Sequence, residues 1–174
     1  MKVFFSAICL SVLPSIVLHA QDTPASPQTL DDTYGFRGAR FETAPSAYKD
    51  LVLAEKAGET TYYRRTGEQK QLGSGTLTDV TYGFYKGRLS VVMLKTTGLA
   101  NSRAVLEALE EQAGPGTRSN PYAQRYAWNA SKVHLSYDEN ALSNDAVILL
   151  TCKKLKEQEM KQHLRTRQTE PLGK

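Results

Sequence analysis

VTYGFYKGRLSVVMLK, residues 80–95, decides how this chain folds. Two runs rich in β-branched and aromatic residues flank Lys86-Gly87, which is the composition of a β-hairpin rather than a helix. Strand periodicity puts Val80, Tyr82 and Phe84 on one face of the first arm. The same rule groups Leu89, Val91 and Met93 on one face of the second. Gly83 interrupts the first arm, where glycine weakens a strand unless geometry needs it, so it marks a bulge or a close backbone approach. The Tyr-Gly-Phe-Tyr core echoes the aromatic strands on which RNA-binding sheets stack bases. Rings filling the interior of a twisted hairpin explain it with less, and the stretch is read as structural.

Outward from this hairpin the chain keeps alternating short strands with turn signals. Upstream, PSAYKDL (45–51) reads as a short helical turn with Pro45 near its start. VLAEK (52–56) and TTYYRR (60–65) read as strands, and Gly67, Gly73 and Gly75 as loop punctuation. Downstream, NSRAVLEALEEQAGPG predicts a helix capped by Ser102, with Val105, Leu106, Leu109 and Ala113 on one face and a stop at Gly114-Pro115. Strands follow at 125–130, 132–138 and 145–152. The two halves rhyme as an α-β-β-β duplication: an aromatic strand (Tyr62-Tyr63; Tyr126 and Trp128), a middle strand ending near tyrosine, then a strongly apolar strand. The expected class is α+β, an antiparallel sheet with helices on one face, in a single domain spanning residues 34–152.

The ends carry different information. MKVFFSAICLSVLPSIVLHA (1–20) has a basic start, an apolar run and a small residue before a cut, the layout of a secretory signal peptide. Ile8 before Cys9 argues against lipidation. Residues 21–33, QDTPASPQTLDDT, read as a flexible leader. Removing the signal leaves 154 residues, enough for one core, with 21 basic and 18 acidic side chains. A net charge of +3 is too mild to call for nucleic acid. No second apolar stretch is long enough for a transmembrane segment. The mature chain keeps one cysteine, Cys152, so an internal disulfide is excluded and the fold must rest on its core. Residues 153–174 form a basic tail of helix-forming composition, with seven basic and three acidic residues, read first as a solvated, partly helical or disordered end and second as a contact for an anionic envelope surface or a protein partner.

The run AVLEALEEQAGPG, followed by Tyr126-Ala127-Trp128 and VHLSYD, resembles a pattern of small exported bacterial proteins of unknown function. FRGARFETAPSAYKDL resembles the opening of the same group, an aromatic-Arg-Gly start before a short helix. The layout is also similar to the fold of β-lactamase-inhibitor proteins and small outer-membrane assembly lipoproteins, in which helices pack on an antiparallel sheet. This chain lacks both the lipidation cysteine and the paired disulfide cysteines of those groups. The resemblance implies an exported module and transfers no catalytic residue.

The remaining constellations read as bland. His134, Ser136 and Asp138 alternate on one face of a strand, but residues two apart stand roughly 6.5–7 Å apart at Cα. A triad needs converging side chains and an oxyanion hole, so a solvent-facing polar stripe is the simpler reading. His163 is the other mature histidine, too few for a metal site with Cys152. Asn129-Ala130-Ser131 matches a glycosylation sequon but sits in a turn between strands. Gly73-Ser74-Gly75 lacks the lysine of a phosphate loop, and Asp31-Asp32 and Glu110-Glu111 read as solvated pairs. No catalytic, cofactor-binding or metal residue is assigned. The expected function is that of an exported, non-enzymatic protein-binding or envelope-associated module; the alternatives are an inhibitor of an extracellular enzyme and a hydrolase using the His134 face. Two packing expectations complete the reading. Trp128 belongs in the core with the Val105/Leu109 helix face, and AVILLTC, apolar on both faces, needs a second cover, the tail ahead of the short helix near 45–51 or a second subunit.

Overall fold

The computed structural model describes residues 26–169, so the signal-peptide reading of 1–20, the start of the leader and the last five residues of the tail fall outside it. Helix α1 (Gln28–Thr33) precedes a small hairpin, β1 (Gly35–Phe36) and β2 (Ala39–Arg40). The expected short helix is a single 3-10 turn at Pro45–Ala47, and the chain is already extended at Leu51. Strands β3 (Leu51–Ala57) and β4 (Thr60–Arg65) follow, then a second small hairpin, β5 (Gln71–Leu72) and β6 (Gly75–Thr76). The decisive hairpin is β7 (Asp79–Tyr85) and β8 (Arg88–Lys95). Helix α2 (Leu99–Ala113), strands β9 (Arg125–Asn129), β10 (Val133–Glu139) and β11 (Ala146–Cys152), and helix α3 (Lys153–Thr169) complete the chain.

The fold is α+β, built on a seven-stranded antiparallel sheet in the order β3-β4-β7-β8-β11-β10-β9. Two meanders, β4-β7-β8 and β9-β10-β11, meet antiparallel along their last strands, with Val91–Lys95 of β8 against Val147–Thr151 of β11. This is the order a duplicated β-β-β unit produces. The halves differ before their first strands, where one has the 3-10 turn and the extra edge strand β3 and the other has the fifteen-residue α2.

The bulge expected at Gly83 is real, and it re-aims half of β8. Gly83 pairs with Val91 while Phe84 pairs with Leu89, so Ser90 is the extra residue, its hydroxyl donating to the Gly83 carbonyl at 3.1 Å. Past the bulge the alternation changes phase: Leu89, Val92 and Leu94 are fully buried, whereas Val91 and Met93 turn to the opposite face. The grouping of Leu89 with Val91 and Met93 is thereby corrected. A Cβ on Gly83 would stand 2.6 Å from Val91 and 2.9 Å from the Tyr62 ring, so the close approach is present as well.

The core lies on the face carrying Tyr82, Phe84, Leu94, Ile148, Leu135 and Trp128, under α2. Trp128 is 1% exposed. Its indole N–H donates to the Gly114 carbonyl at 2.6 Å, and a Cβ on Gly116 would meet the ring at 2.8 Å. The Gly-Pro-Gly stop of α2 is thus a cradle for the tryptophan. The β5–β6 hairpin, read as plain loop, lies flat on α2 because Gly73 and Gly75 would otherwise strike Ala108 and Val105.

Three expectations need correction. Ser102 does not cap α2; Gly98 occupies that position with φ +77°, its N–H held by Asp145 at 2.9 Å. The helix therefore starts a turn early, and the buried Ser102 hydroxyl bonds Thr96 and the Asn144 carbonyl instead. Residues 28–33 are helical rather than a flexible leader, and Asp31 accepts the backbone N–H groups of Ser131, Lys132 and Val133 at 2.7–3.0 Å. Helices do not keep to one face: α3 crosses the other side of the sheet. There Glu159 accepts from Thr60, Gln162 from Tyr85 and Gln158 from Arg88. Its apolar stripe is not what docks, since Leu155 is buried but Met160 and Leu164 are more than half exposed.

Candidate binding face of the sheet

Register pairing sorts the side of the sheet opposite the core into cross-strand rows. The first row runs Tyr62, Gly83, Val91, Thr151, His134 and Asn129. The second runs Thr81, Met93, Leu149, Ser136 and Ala127, and the third Asp79, Lys95, Val147, Asp138 and Arg125. Helix α3 roofs the first row, where Lys156 and Glu159 stand over Val91 and Thr151 and enclose a cavity of about 180 Å³. Beyond α3, an open trough of about 680 Å³ runs over Leu149, Val147, Ser136 and Ala127 to the Thr117–Ser119 and Asn140–Asp145 loops.

The second row has an apolar centre. Met93 and Leu149 are half-buried at the margin of the α3 roof, and Val147 in the next row, clear of it, is 39% exposed. The third row alternates in charge, with Asp138 accepting from Arg125 at 2.9 Å and Asp79 from Arg64 at 2.6 Å. Arg64 holds the Asp79 carboxyl below its ordinary range, against the burial that would raise it. The result is an apolar centre with a charged border, the anatomy of a protein-recognition surface.

His134, Ser136 and Asp138 do share this face, but they form no relay. Asp138 is spent on Arg125, and the row neighbours of Ser136 are Leu149 and Ala127. Burial, and then the positive charge of Lys153, hold His134 below the usual imidazole range. A neutral imidazole without an orienting carboxylate or a paired hydroxyl lacks the parts of a nucleophilic site.

Cys152 is fully buried, its sulfur 3.3 Å from the Tyr34 hydroxyl, which itself donates to Glu42 at 2.7 Å. Burial, then the neighbouring thiol and carboxylate, push the Tyr34 phenol far above its ordinary range. This cluster fastens the start of α3 to the body through Lys154, which bonds Glu42 at 2.6 Å. A second buried network joins Tyr137, Glu139 and Arg103 and fixes α2 on β10. Among the described residues, no three His, Cys, Asp or Glu side chains converge as a metal ion would require. None of these helices is long and apolar enough to cross a membrane.

The rows were implicit in the alternation of β10 and β11, but two of their members were not. Met93 and Val91 join this face only because of Ser90, and no hydrophobicity pattern announces which strand carries the extra residue.

No family model matches the chain, and no curated protein matches it. A solved structure of a DUF4309 family protein (YjgB) from Bacillus subtilis is similar at 14% identity, over 74% of this chain and 98% of that one, with a TM-score of 0.38.

Proposed function

We propose that the protein is an exported, non-enzymatic binding module of the cell envelope, and that it grips a protein partner with the open rows of its sheet. The observation carrying this reading is the open apolar trough over Val147 and Leu149, continued by Met93 at the margin of α3 and bordered by the alternating charges of Asp79, Lys95, Asp138 and Arg125. A rigid sheet presents such a centre at little ordering cost on binding. The basic α3 stands beside this face and adds a positive flank for an acidic region of the partner or of the envelope surface.

The test is affinity capture from an envelope extract with the wild-type protein and with a Val147→Glu/Ser136→Arg double variant. Both positions face away from the core, so the melting temperature stays unchanged. Loss of a specific captured protein in the variant supports the reading. Equal capture by both proteins removes the face from consideration. If the captured protein is an enzyme and stoichiometric addition stops its turnover, the module is an inhibitor. A hydrolytic activity lost on His134→Ala/Ser136→Ala substitution would replace binding by catalysis.

A further inference from the structure

A second feature lies on the core side of the sheet, away from the open rows. Between α1, α2 and the sheet is a cavity of about 360 Å³. Small-molecule sites span roughly 300–1,000 Å³, so this one has room for a ligand. Its floor is Leu135 and Leu150 of the central strands, and its walls are Leu109, Phe36, Leu72 and Leu30. All but Leu30 belong to the buried core, so the cavity is a pocket open at its mouth and floored by core side chains. Interiors pack at crystal density, and an unfilled apolar space forfeits the contacts its walls would make.

The mouth has a definite chemistry. Thr29 and Thr33 of α1 stand on one lip and Gln112 of α2 on the other. Helix α1 crosses as a strap, pinned on one side by the Thr29 hydroxyl on the Gln112 carbonyl at 2.9 Å and on the other by Asp31. Arg37 is the one charged side chain of the lining, and Glu68 meets its charge while the carbonyls of Gln69 and Gln71 take two more of its five N–H donors. The hydroxyl of Thr29 donates to the Ser26 and Gln112 carbonyls and that of Thr33 to the Thr29 carbonyl, so the lip offers hydroxyl lone pairs and the Gln112 side-chain amide, with its one charge paired.

We propose that this cavity binds a neutral single-chain amphiphile, its aliphatic chain against Leu135 and Leu150 and its hydroxyl or amide head between Thr29, Thr33 and Gln112. A charged head has no counter-ion there, and burying it costs far more than burying a hydroxyl. The site therefore prefers an alcohol to a carboxylate on the same chain.

Titration with 1-decanol and with decanoate tests both the site and its selectivity. Calorimetry gives the affinities, and leucine-methyl NMR gives the location. The expected result is saturable decanol binding that shifts the methyl signals of Leu109, Leu135 and Leu150, with decanoate weaker by roughly tenfold or more. Thr33→Trp places an indole on the exposed lip and should weaken decanol about tenfold with the fold retained. Leu109→Trp narrows the cavity itself and serves as the second variant. The proposal fails if neither probe saturates, if decanoate binds as well as decanol, or if the shifts fall on Val147 and Leu149 of the open face.

Discussion

At the scale of single residues, the structure turns on positions where a missing or extra atom sets direction. Gly83→Ala puts a methyl group 2.6 Å from Val91 and 2.9 Å from the Tyr62 ring, so overpacking should cost about 1–3 kcal/mol in denaturant unfolding. Trp128→Ala empties the cradle formed by Gly114 and Gly116 and should cost about 3–5 kcal/mol. Emission from wild-type Trp128 matching free indole in water would contradict its placement. Asp31→Ala removes an acceptor of three backbone N–H bonds, an expected loss of about 1–3 kcal/mol. Burial opposes ionisation of Asp31, but those bonds outweigh it and hold the carboxyl below its usual 3.8. The group's stabilisation is therefore full above the ordinary carboxylate range and fades as pH falls through the lowered value. In Asp31→Ala the acid limb of the stability curve should flatten, which a melting series from pH 7 to pH 2 would detect. Tryptophan burial and the need for glycine at 83 were legible because size and the absence of a side chain are properties of one residue. The role of Asp31 was not legible, because its partners lie about a hundred residues away.

At the scale of elements, the seven strands of the large sheet were readable from period and turn chemistry, the two small hairpins β1–β2 and β5–β6 were not, and faces and caps were less legible still. One unpaired serine on β8 reverses which side chains are buried, and that depends on the pairing of two strands rather than on either alone. Ser102 looked like a cap by composition, yet tertiary bonds to Thr96 and Asn144 claim its hydroxyl. The expected cover for β11 is supplied in part: α3 overlies Leu149 and Thr151 through polar bonds and the single anchor Leu155, and Val147 stays open. Deleting residues 156–174 spares Leu155 and the Lys154–Glu42 pair but removes the bonds from Glu159, Gln162 and Gln158. Two of these bonds are part-buried and one is exposed, so the expected loss is about 1–3 kcal/mol. Hydrophobic-dye binding should rise as Val91 and Met93 are uncovered. Unchanged melting together with unchanged dye binding would show that α3 is no roof.

At the scale of the whole molecule, each half reaches across to hold the other. Helix α1, from the first half, bonds Gln112 and the 131–133 backbone of the second. Helix α3, from the second, bonds Glu42, Thr60, Tyr85 and Arg88 of the first. The sequence rhyme between the halves anticipated two similar strand sets but not their joining along β8 and β11, nor these straps, which are carried by polar side chains without periodicity. Cutting the chain at Thr97-Gly98 should therefore yield fragments that are poorly soluble alone and recover the native circular-dichroism spectrum when mixed. Two soluble, separately folded fragments would refute that dependence. The seam between β8 and β11 also bears on whether the halves could stand apart. Both strands carry apolar side chains on both faces, with Met93 and Leu149 on one side and Leu94 and Ile148 on the other. Such a strand is a hazardous edge. A unit of half this length, standing alone, would expose that strand as an edge with apolar side chains on both faces, and only pairing with a like strand would cover it. The β8–β11 seam supplies that pairing inside one chain, so separating the halves would leave two sticky edges rather than two domains.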